Sequence, residues 1–340
     1  MEFGIFDHVD ATGDKLRDFY DARVDYAVAA DRAGFRSYHV AEHHATPLGL
    51  AASPNVYLTA VAQRTERLRF GPLVYTLPLY HPLRLVEEIC MLDQISGGRL
   101  EVGLGRGISP IEARYYGTDP DKSREVYAEY TELLFMALTQ KEVTFKGKHF
   151  QVDNIPMQLE PLQKPHPPIW LGIGMLANAE RAGKLGASAV SLHGPEDTRT
   201  FIEAWKAALP KTEASKNLHF GQSIFMVIDE DGERAMETAR AGYLRWRESF
   251  HYLYYRFGRS PMHGERARTF DELMAEGKGV AGTPEFVRDW LTRSVAISGT
   301  DYLVGQFYFG QMHRQTPIRS VELFAEHIMP ALRQKESIPA

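Results

Sequence analysis

The sequence has one cysteine, no long hydrophobic run and no excess of basic residues, and each absence excludes a class of protein. A single cysteine, Cys90, among 340 residues excludes an internal disulfide and a CxxC metal or redox site. No run of 18 apolar residues is present, so we expect no membrane-spanning helix. Lys and Arg number 39 against 44 Asp and Glu, so we expect no nucleic-acid partner. The N-terminus lacks the basic segment of a secretory signal, and we expect a reducing, cytoplasmic setting.

Short β-rich segments alternate with amphipathic helical segments along the whole chain. The predicted strands are Phe3–Asp7, Tyr38–Ala41, Leu68–Thr76, Leu100–Leu104, Ile169–Ile173, Ala187–Leu192, Phe220–Ile228 and Tyr302–Phe307. A helix after each strand predicts an α/β fold of the TIM (β/α)8 barrel type, one domain over residues 1–340 with insertions. A doubly wound sheet is the alternative, but it requires a glycine-rich turn after the first strand, where this chain has Asp7-His8-Val9-Asp10.

Two segments interrupt the alternation. Residues 143–152, with Gly147 among them, are predicted to form a small inserted hairpin. Residues 255–282 follow an aromatic-rich helix, and from Gly258 onward they are polar and contain five glycines. We predict that residues 255–282 form a mobile lid segment.

A pair of histidines ends the second predicted strand, in the sequence Glu42-His43-His44. Catalytic groups of a (β/α)8 barrel lie at the C-terminal ends of its strands, and an imidazole there is a candidate general base or hydrogen-bond donor. An ordinary hydrogen-bonded histidine is the alternative. Adjacent strand residues point to opposite faces, so the two rings are expected to differ. A metal pair normally has helical spacing or comes from separate strands, so no metal site is predicted.

Glycine-rich turns after the fourth and fifth strands are candidates for phosphate binding. The first contains Gly105-Arg106-Gly107, and Arg124 follows in the next helix. Its glycines permit close backbone approach, and an arginine offers a planar fork to a phosphate. The second, residues 172–175, leads into a helix N-terminus. Ordinary βα turns are the alternative in both places.

Several aromatic residues occupy the long helix after the seventh strand. Tyr243, Trp246 and Phe250 have the spacing of a single helix face. Such a stripe is typical of core packing, and it is also a candidate wall for a substrate pocket.

The motifs together resemble one protein family. They are Ala41–Thr46, Leu77–Arg84, Leu92–Leu100, Gly105–Gly107, Gly117–Pro120, Gly282–Glu285 and Leu323–Leu332. In this order they resemble the bacterial luciferase-like monooxygenases, and they look closest to the catalytic α-type luciferase chain. Luciferase has a reactive cysteine where this chain has Gly105.

The resemblance implies a flavin-dependent oxygenation. Reduced FMN would bind at the C-terminal face of the barrel, O2 would add at flavin C4a, and the resulting (hydro)peroxide would oxygenate a small apolar aldehyde, ketone or terpenoid. His43 would be the catalytic histidine. The residues that would bind the cofactor are Leu73, Val74, Arg106, Arg124, Gly172, Gly174 and Met175, with a cis peptide bond between the first two. The substrate pocket would include Phe6, Tyr116, Trp246 and Phe250.

The resemblance also implies partners. No nicotinamide-binding domain is evident, so a separate NAD(P)H:flavin reductase would supply the reduced FMN. A homodimer would form through the helices at residues 53–65 and 81–96, and its predicted apolar seam consists of Val56, Ala60, Leu85 and Ile89. Two alternatives remain: an F420-dependent dehydrogenase or reductase on the same barrel, and a non-catalytic flavin-binding protein.

Overall fold

A ring of parallel strands forms the centre of the protein, which the computed structural model describes over residues 1–261 and 264–334. The strands are β1 (Glu2–Asp7), β2 (Ser37–Val40), β3 (Arg69–Pro72), β4 (Tyr75–Thr76), β5 (Val102–Gly105), β6 (Glu142–Lys146), β7 (Gln151–Pro156), β8 (Ile169–Ile173), β9 (Ser188–Ser191), β10 (Phe220–Ile228), β11 (Gly279–Gly282) and β12 (Tyr302–Gln306). Their order in the ring is β3-β2-β1-β12-β10-β9-β8-β5-β4. A bridge between Phe70 and Leu100 joins the two ends. The predicted TIM barrel is confirmed.

Helices surround the ring and connect its strands. They are α1 (Leu16–Ala33), α2 (Pro54–Arg64), α3 (Pro82–Ile95), α4 (Pro110–Tyr115), α5 (Ser123–Thr139), α6 (Leu176–Leu185), α7 (Pro195–Ala208), α8 (Gly232–Arg256), α9 (Phe270–Ala275), α10 (Pro284–Ser298), α11 (Gln315–His327) and α12 (Met329–Gln334). Both α1 and α6 end at a glycine in the left-handed conformation, Gly34 and Gly186, which other residues rarely adopt. Across the described ranges, no helix is long and apolar enough to cross a membrane.

The third predicted strand is divided. Residues 68–76 were expected to be continuous, but the peptide bond between Leu73 and Val74 is cis, and it separates β3 from β4. The cis bond itself agrees with the implication of the resemblance. Because β4 pairs with β5 and β3 pairs with β2, the two short pieces together occupy one position in the ring.

The interruptions of the barrel are built in different ways. The predicted hairpin is present as the antiparallel pair β6 and β7. In the second interruption, residues 255–282, helix α9 buries Phe270 and Leu273, and β11 pairs with β10 in parallel. Met262 and His263 belong to this range and lie outside the described residues. The mobility of this segment stays a prediction.

A small apolar cluster fills the inside of the ring. Phe6, Trp170 and Tyr302 belong to it, and Leu73 packs against it. A Cβ on Gly4 would collide with the hydroxyl of Tyr302, so a glycine is needed where that side chain crosses the interior. The cluster closes the ring below the C-terminal mouth. The larger core lies between the strands and the surrounding helices.

The predicted dimer seam is wrong for two of its four residues. Leu85 and Ile89 are completely buried, because this face of α3 packs against the barrel. Val56 and Ala60 on α2 are exposed. The apolar spacing along α3 therefore indicated the inward face of the helix rather than its outward face.

Candidate active site

The C-terminal ends of the strands form one mouth, because all strands of the ring run parallel. This places His8 after β1, His43 after β2, Arg106 after β5, Gly174 after β8 and His193 after β9. Residues far apart in the chain are thereby brought to one face of the barrel. Three of the five, His43, Arg106 and Gly174, are predicted site residues.

A carboxylate lies beside His43. The Nδ1 atom of His43 is 3.3 Å from Oε1 of Glu112, and the other oxygen of Glu112 accepts a hydrogen bond from the His44 amide at 2.8 Å. Glu112 is placed by the first turn of α4, where its own amide donates to Ser109 Oγ. Burial opposes its ionisation, but the hydrogen bonds from His43 and His44 hold the pKa of Glu112 below its ordinary value. Because a carboxylate only accepts, a neutral His43 carries its proton on Nδ1.

The adjacent His44 has a partner on each ring nitrogen. Its Nε2 donates to Glu42 Oε1 at 2.7 Å, and its Nδ1 accepts from the Tyr116 hydroxyl at 2.7 Å. Glu42 also accepts from the amide of Thr76 at 2.8 Å. The two neighbouring histidines therefore have different surroundings, and only His43 has a ring nitrogen without a described partner.

A third histidine, His8, lies between His43 and the aromatic helix α8. Its buried ring stacks on that of His43, with centroids 6.2 Å apart, and its centroid is 5.2 Å from that of Trp246. Burial, followed by the nearby charge of His43, lowers the pKa of His8 well below its ordinary value. His8 was not predicted from the sequence, although it directly follows β1 and the strand-end rule applies to it.

Two arginines stand close together at the end of β5. Arg106 donates a hydrogen bond to Ser123 Oγ at 3.0 Å. Ser123 is the first residue of α5, and the next residue, Arg124, has an exposed side chain. Burial and the neighbouring positive charge of Arg124 lower the pKa of Arg106. In the part of the chain that the structure describes, neither guanidinium has a carboxylate partner within ion-pair distance. The pair is an uncompensated positive site.

The turn after β8 leaves open space, and β8 is the neighbour of β5, which Arg106 follows. A Cβ on Gly172 would meet no atom within 4 Å, and one on Gly174 would meet only His193, at 4.0 Å. Met175 precedes α6 and provides no side-chain cap, so the first amides of this helix are available to a ligand. By contrast, a Cβ on Gly105 would collide with Val74, so that glycine is needed for packing.

The predicted pocket residues occupy different depths. Phe6 is buried in the cluster inside the ring, whereas Trp246 and Phe250 are buried above it and stack with centroids 5.5 Å apart. Tyr116 is exposed at the rim. Phe250 and His43 line a common recess of about 10 Å³, which has room for a single water.

Arg266, which sequence reasoning also missed, reaches this region from the segment after α8. Its guanidinium carbon lies 4.6 Å from the ring centre of Phe250. No periodicity or motif marks this residue, so the sequence alone gave no signal for it. Within residues 1–261 and 264–334, no three His, Cys, Asp or Glu side chains are grouped so as to hold a metal ion.

Known proteins match this chain over most of its length. A family model described as luciferase-like monooxygenase matches residues 1–301. The uncharacterized protein y4wF of Sinorhizobium fredii is 39% identical over 314 residues, 92% of this chain and 92% of that protein. Limonene 1,2-monooxygenase of Rhodococcus erythropolis is 27% identical over 88% of this chain and 78% of that enzyme. The crystal structure of monooxygenase RslO1 from Streptomyces bottropensis has a TM-score of 0.85 at 26% identity, covering 98% of this chain and 100% of its own.

Proposed function

The chain belongs to the luciferase-like monooxygenase family, and from this we propose that it is the oxygenating component of a two-component flavin monooxygenase. It takes reduced FMN from a separate NAD(P)H:flavin reductase and uses O2 to oxygenate a small, largely apolar substrate. The observation that carries the proposal is the uncompensated pair Arg106 and Arg124 at the same barrel mouth as His43 and Glu112. Limonene, the substrate named for one relative, is an apolar terpene and fits such a substrate class.

The residues around the β5 and β8 ends fit the phosphate of FMN. Arg106 and Arg124 would bind it through their guanidinium groups, which match phosphate geometry. The free amides at the start of α6 would donate to it, and the open backbone at Gly172 and Gly174 leaves the space it needs. A phosphate at this position would remove the mutual repulsion of the two arginines.

An apolar surface beside the phosphate site fits the ring system of the flavin. Leu73 and Val74 are partly exposed at the break between β3 and β4. Gly105 lets Val74 pack closely against β5. A larger residue at position 105, such as the cysteine of luciferase, would displace Val74 from this surface.

His43 and Glu112 would handle the proton of the reaction. Reduced FMN, when bound, would supply two electrons to O2, so that one oxygen atom enters the substrate and the other leaves as water. Glu112 holds the Nδ1 proton of His43, so Nε2 is free to accept a proton or a hydrogen bond from a substrate at the mouth. Glu112 acts through His43 and is a positioning residue.

Aromatic residues would exclude water from the reacting atoms. Trp246 and Phe250 form a stacked wall on one side, and Phe6 lies in the cluster beneath the mouth. Tyr116 stands at the rim, held by its hydrogen bond to His44. A dry mouth favours transfer of oxygen to an organic substrate over loss to water.

We also propose a homodimer through the outward faces of α2 and α3. Val56, Met91 and Ile95 expose large apolar side chains there. Exposed apolar residues on neighbouring helices are typical of an interface between identical chains.

Titration with reduced FMN, oxidised FMN and F420 tests the cofactor. Arg106→Ala is expected to weaken reduced FMN binding by about 1.5–3 kcal/mol, the contribution of hydrogen bonds to a charged group, or roughly 10–150-fold in Kd. Arg293→Ala, an exposed arginine on α10, is the matched control and should leave Kd unchanged. Anaerobic isothermal calorimetry provides the measurement.

Each other outcome contradicts the proposal in a defined way. Tighter binding of F420 than of reduced FMN would indicate deazaflavin hydride transfer. Tight FMN binding without oxygen consumption across aldehydes, ketones and terpenes would indicate a flavin-binding protein. An Arg106→Ala chain with unchanged FMN affinity would place the phosphate elsewhere.

A further inference from the structure

Arg266 places a positive charge at the barrel mouth, and the described part of the chain supplies no ion-pair partner for it. Its Nε atom is fully buried and has no hydrogen-bond partner, and no described carboxylate lies within ion-pair distance of its guanidinium group. Its one strong contact is with the ring of Phe250, at 4.6 Å. Burial lowers the pKa of Arg266, and the opposing influence of Tyr243, Tyr254 and Glu276 is too weak to offset it.

Three arginines that the fold covers are neutralised by carboxylates. Arg23 is completely buried and pairs with Asp7 at 2.7 Å and Asp10 at 3.1 Å. Arg36 and Arg69, both partly buried, share one carboxylate of Glu101. Removing a charge from water is costly unless a partner compensates it. Within the described residues, Arg266 shares the lack of a carboxylate partner with Arg106, the proposed phosphate ligand, and a bound anion would compensate it in the same way.

Arg266 lies near histidines at the strand ends of the mouth. After burial and other nearby charges, its own charge helps to lower the pKa of both His8, which follows β1, and His193, which follows β9. Arg106 and Arg124 lie after β5, three strands from β10 around the ring. Arg266 belongs instead to the segment after β10 and α8, and its described ring contact is with Phe250.

A continuous aromatic surface connects Arg266 with His43. His43 stacks on His8, the His8 ring meets Trp246 edge-on at 5.2 Å, and Trp246 stacks on Phe250 at 5.5 Å. Arg266 contacts the ring of Phe250, and Phe250 shares a small recess with His43. The positive charge and the proton-accepting group therefore both adjoin one aromatic surface.

We propose that Arg266 binds a carboxylate of the substrate, so that the substrate is an apolar molecule that also carries an acid group. This rests on the proposed function and narrows its substrate class. The guanidinium fork holds the acid group in two hydrogen bonds, and the aromatic surface holds the apolar body. Attachment at Arg266 would hold the apolar body of the substrate against the aromatic residues that adjoin His43.

A pair of probes of equal length and different charge tests this. The probes are 4-phenylbutanoate and 4-phenylbutanol, each titrated calorimetrically into the flavin-free chain. The unmodified chain is expected to bind the carboxylate at least tenfold more tightly than the alcohol. Arg266→Gln should lose this preference while its affinity for the alcohol stays within about twofold, and Arg266→Lys should retain part of the preference.

Two matched variants locate the binding. Arg268→Gln changes an exposed arginine two residues further along and should leave both affinities unchanged. Arg106→Ala should also leave them unchanged, and loss of carboxylate binding in that variant would overturn the proposal, because the probe would then occupy the phosphate site. Equal or undetectable binding of the two probes by the unmodified chain would overturn it as well.

Separate readouts distinguish this inference from the cofactor assignment. Arg266→Gln should bind reduced FMN as the unmodified chain does, and its melting temperature should stay the same or rise, since an unpaired cation is removed. A fall in FMN affinity would make Arg266 a cofactor ligand, and a lower melting temperature with an unchanged probe preference would make it structural; both outcomes contradict the proposal. Failure of the chain to bind FMN would refute the cofactor assignment alone, because the probe titration contains no flavin.

Discussion

At the scale of single residues, the two adjacent histidines differ in what their hydrogen bonds leave free. Both ring nitrogens of His44 are engaged, one by Glu42 and the other by Tyr116. His43 has a described partner on Nδ1 only. Under the proposed function, His43 exchanges a proton with a substrate through Nε2, whereas His44 holds Glu42 and Tyr116 in place.

His43→Ala is expected to reduce turnover by roughly 10²–10⁴-fold, the usual contribution of general acid–base catalysis. Affinity for reduced FMN should remain nearly the same, because the proposed phosphate ligands are untouched. His44→Ala should cause a smaller loss. Substrate-dependent oxygen consumption and FMN titration of both variants measure these effects, and equal losses would place the proton acceptor elsewhere at the mouth.

The sequence pointed to the histidine pair after the second strand but to neither Glu112 nor Arg266. The pair was visible because a strand end in a barrel is a local feature of the sequence, and the choice of His43 within it came from the family resemblance and stays a prediction. Glu112 was visible only as the third residue of a helix start, since its contact with His43 joins residues 69 positions apart. Arg266 had no local sequence signal. It stands out because no described residue pairs with its guanidinium group, and this depends on the folded structure.

At the scale of helices and strands, alternation of apolar patterns was sufficient to predict the barrel. Parallel strands each followed by a helix allow few other arrangements. The pattern did not reveal β11, which contains two glycines and lies beside β10 outside the ring order. The same pattern led to a wrong prediction for the outward face of α3. Leu85 and Ile89 follow the helical period, but they mark the face of α3 that packs against the barrel.

The outward faces of α2 and α3 predict how to separate the proposed dimer. Val56 is 74% exposed and Met91 is 51% exposed, so a charge at either position changes the surface without disturbing the core. The double variant Val56→Glu, Met91→Glu should have the mass of one 38.5 kDa chain, and the unmodified protein twice that mass. Leu16→Glu, which is equally exposed on α1, should remain dimeric. Light scattering at micromolar concentration decides, and a single-chain mass for the unmodified protein would refute the dimer.

At the scale of the whole molecule, the polar contents of the barrel interior make stability depend on pH. His39 is buried inside the ring, with Nε2 2.9 Å from the Tyr302 hydroxyl and its ring 5.0 Å from that of Trp170. Burial lowers the pKa of His39 from 6.5 to about 4. Between these two values the unfolded chain binds a proton that the native chain does not, so acid favours unfolding.

The contribution of His39 is complete above pH 6.5 and is lost as the pH falls to about 4. At about 1.4 kcal/mol for each pH unit, the loss is on the order of 3 kcal/mol. Urea unfolding of the unmodified chain and of His39→Gln across this range tests it. The unmodified chain should lose more stability on acidification by that amount, and parallel curves for the two proteins would contradict the assignment.

The cluster inside the ring also determines how molecules reach the mouth. Because Phe6, Trp170 and Tyr302 fill the interior, the barrel is shaped as a cup and not as a tube. A flavin and a substrate that both bind at the mouth must enter and leave through the same opening. The molecule that binds deeper must enter first and leave last. The closed floor of the barrel would therefore impose an order of binding and release on the flavin and the substrate.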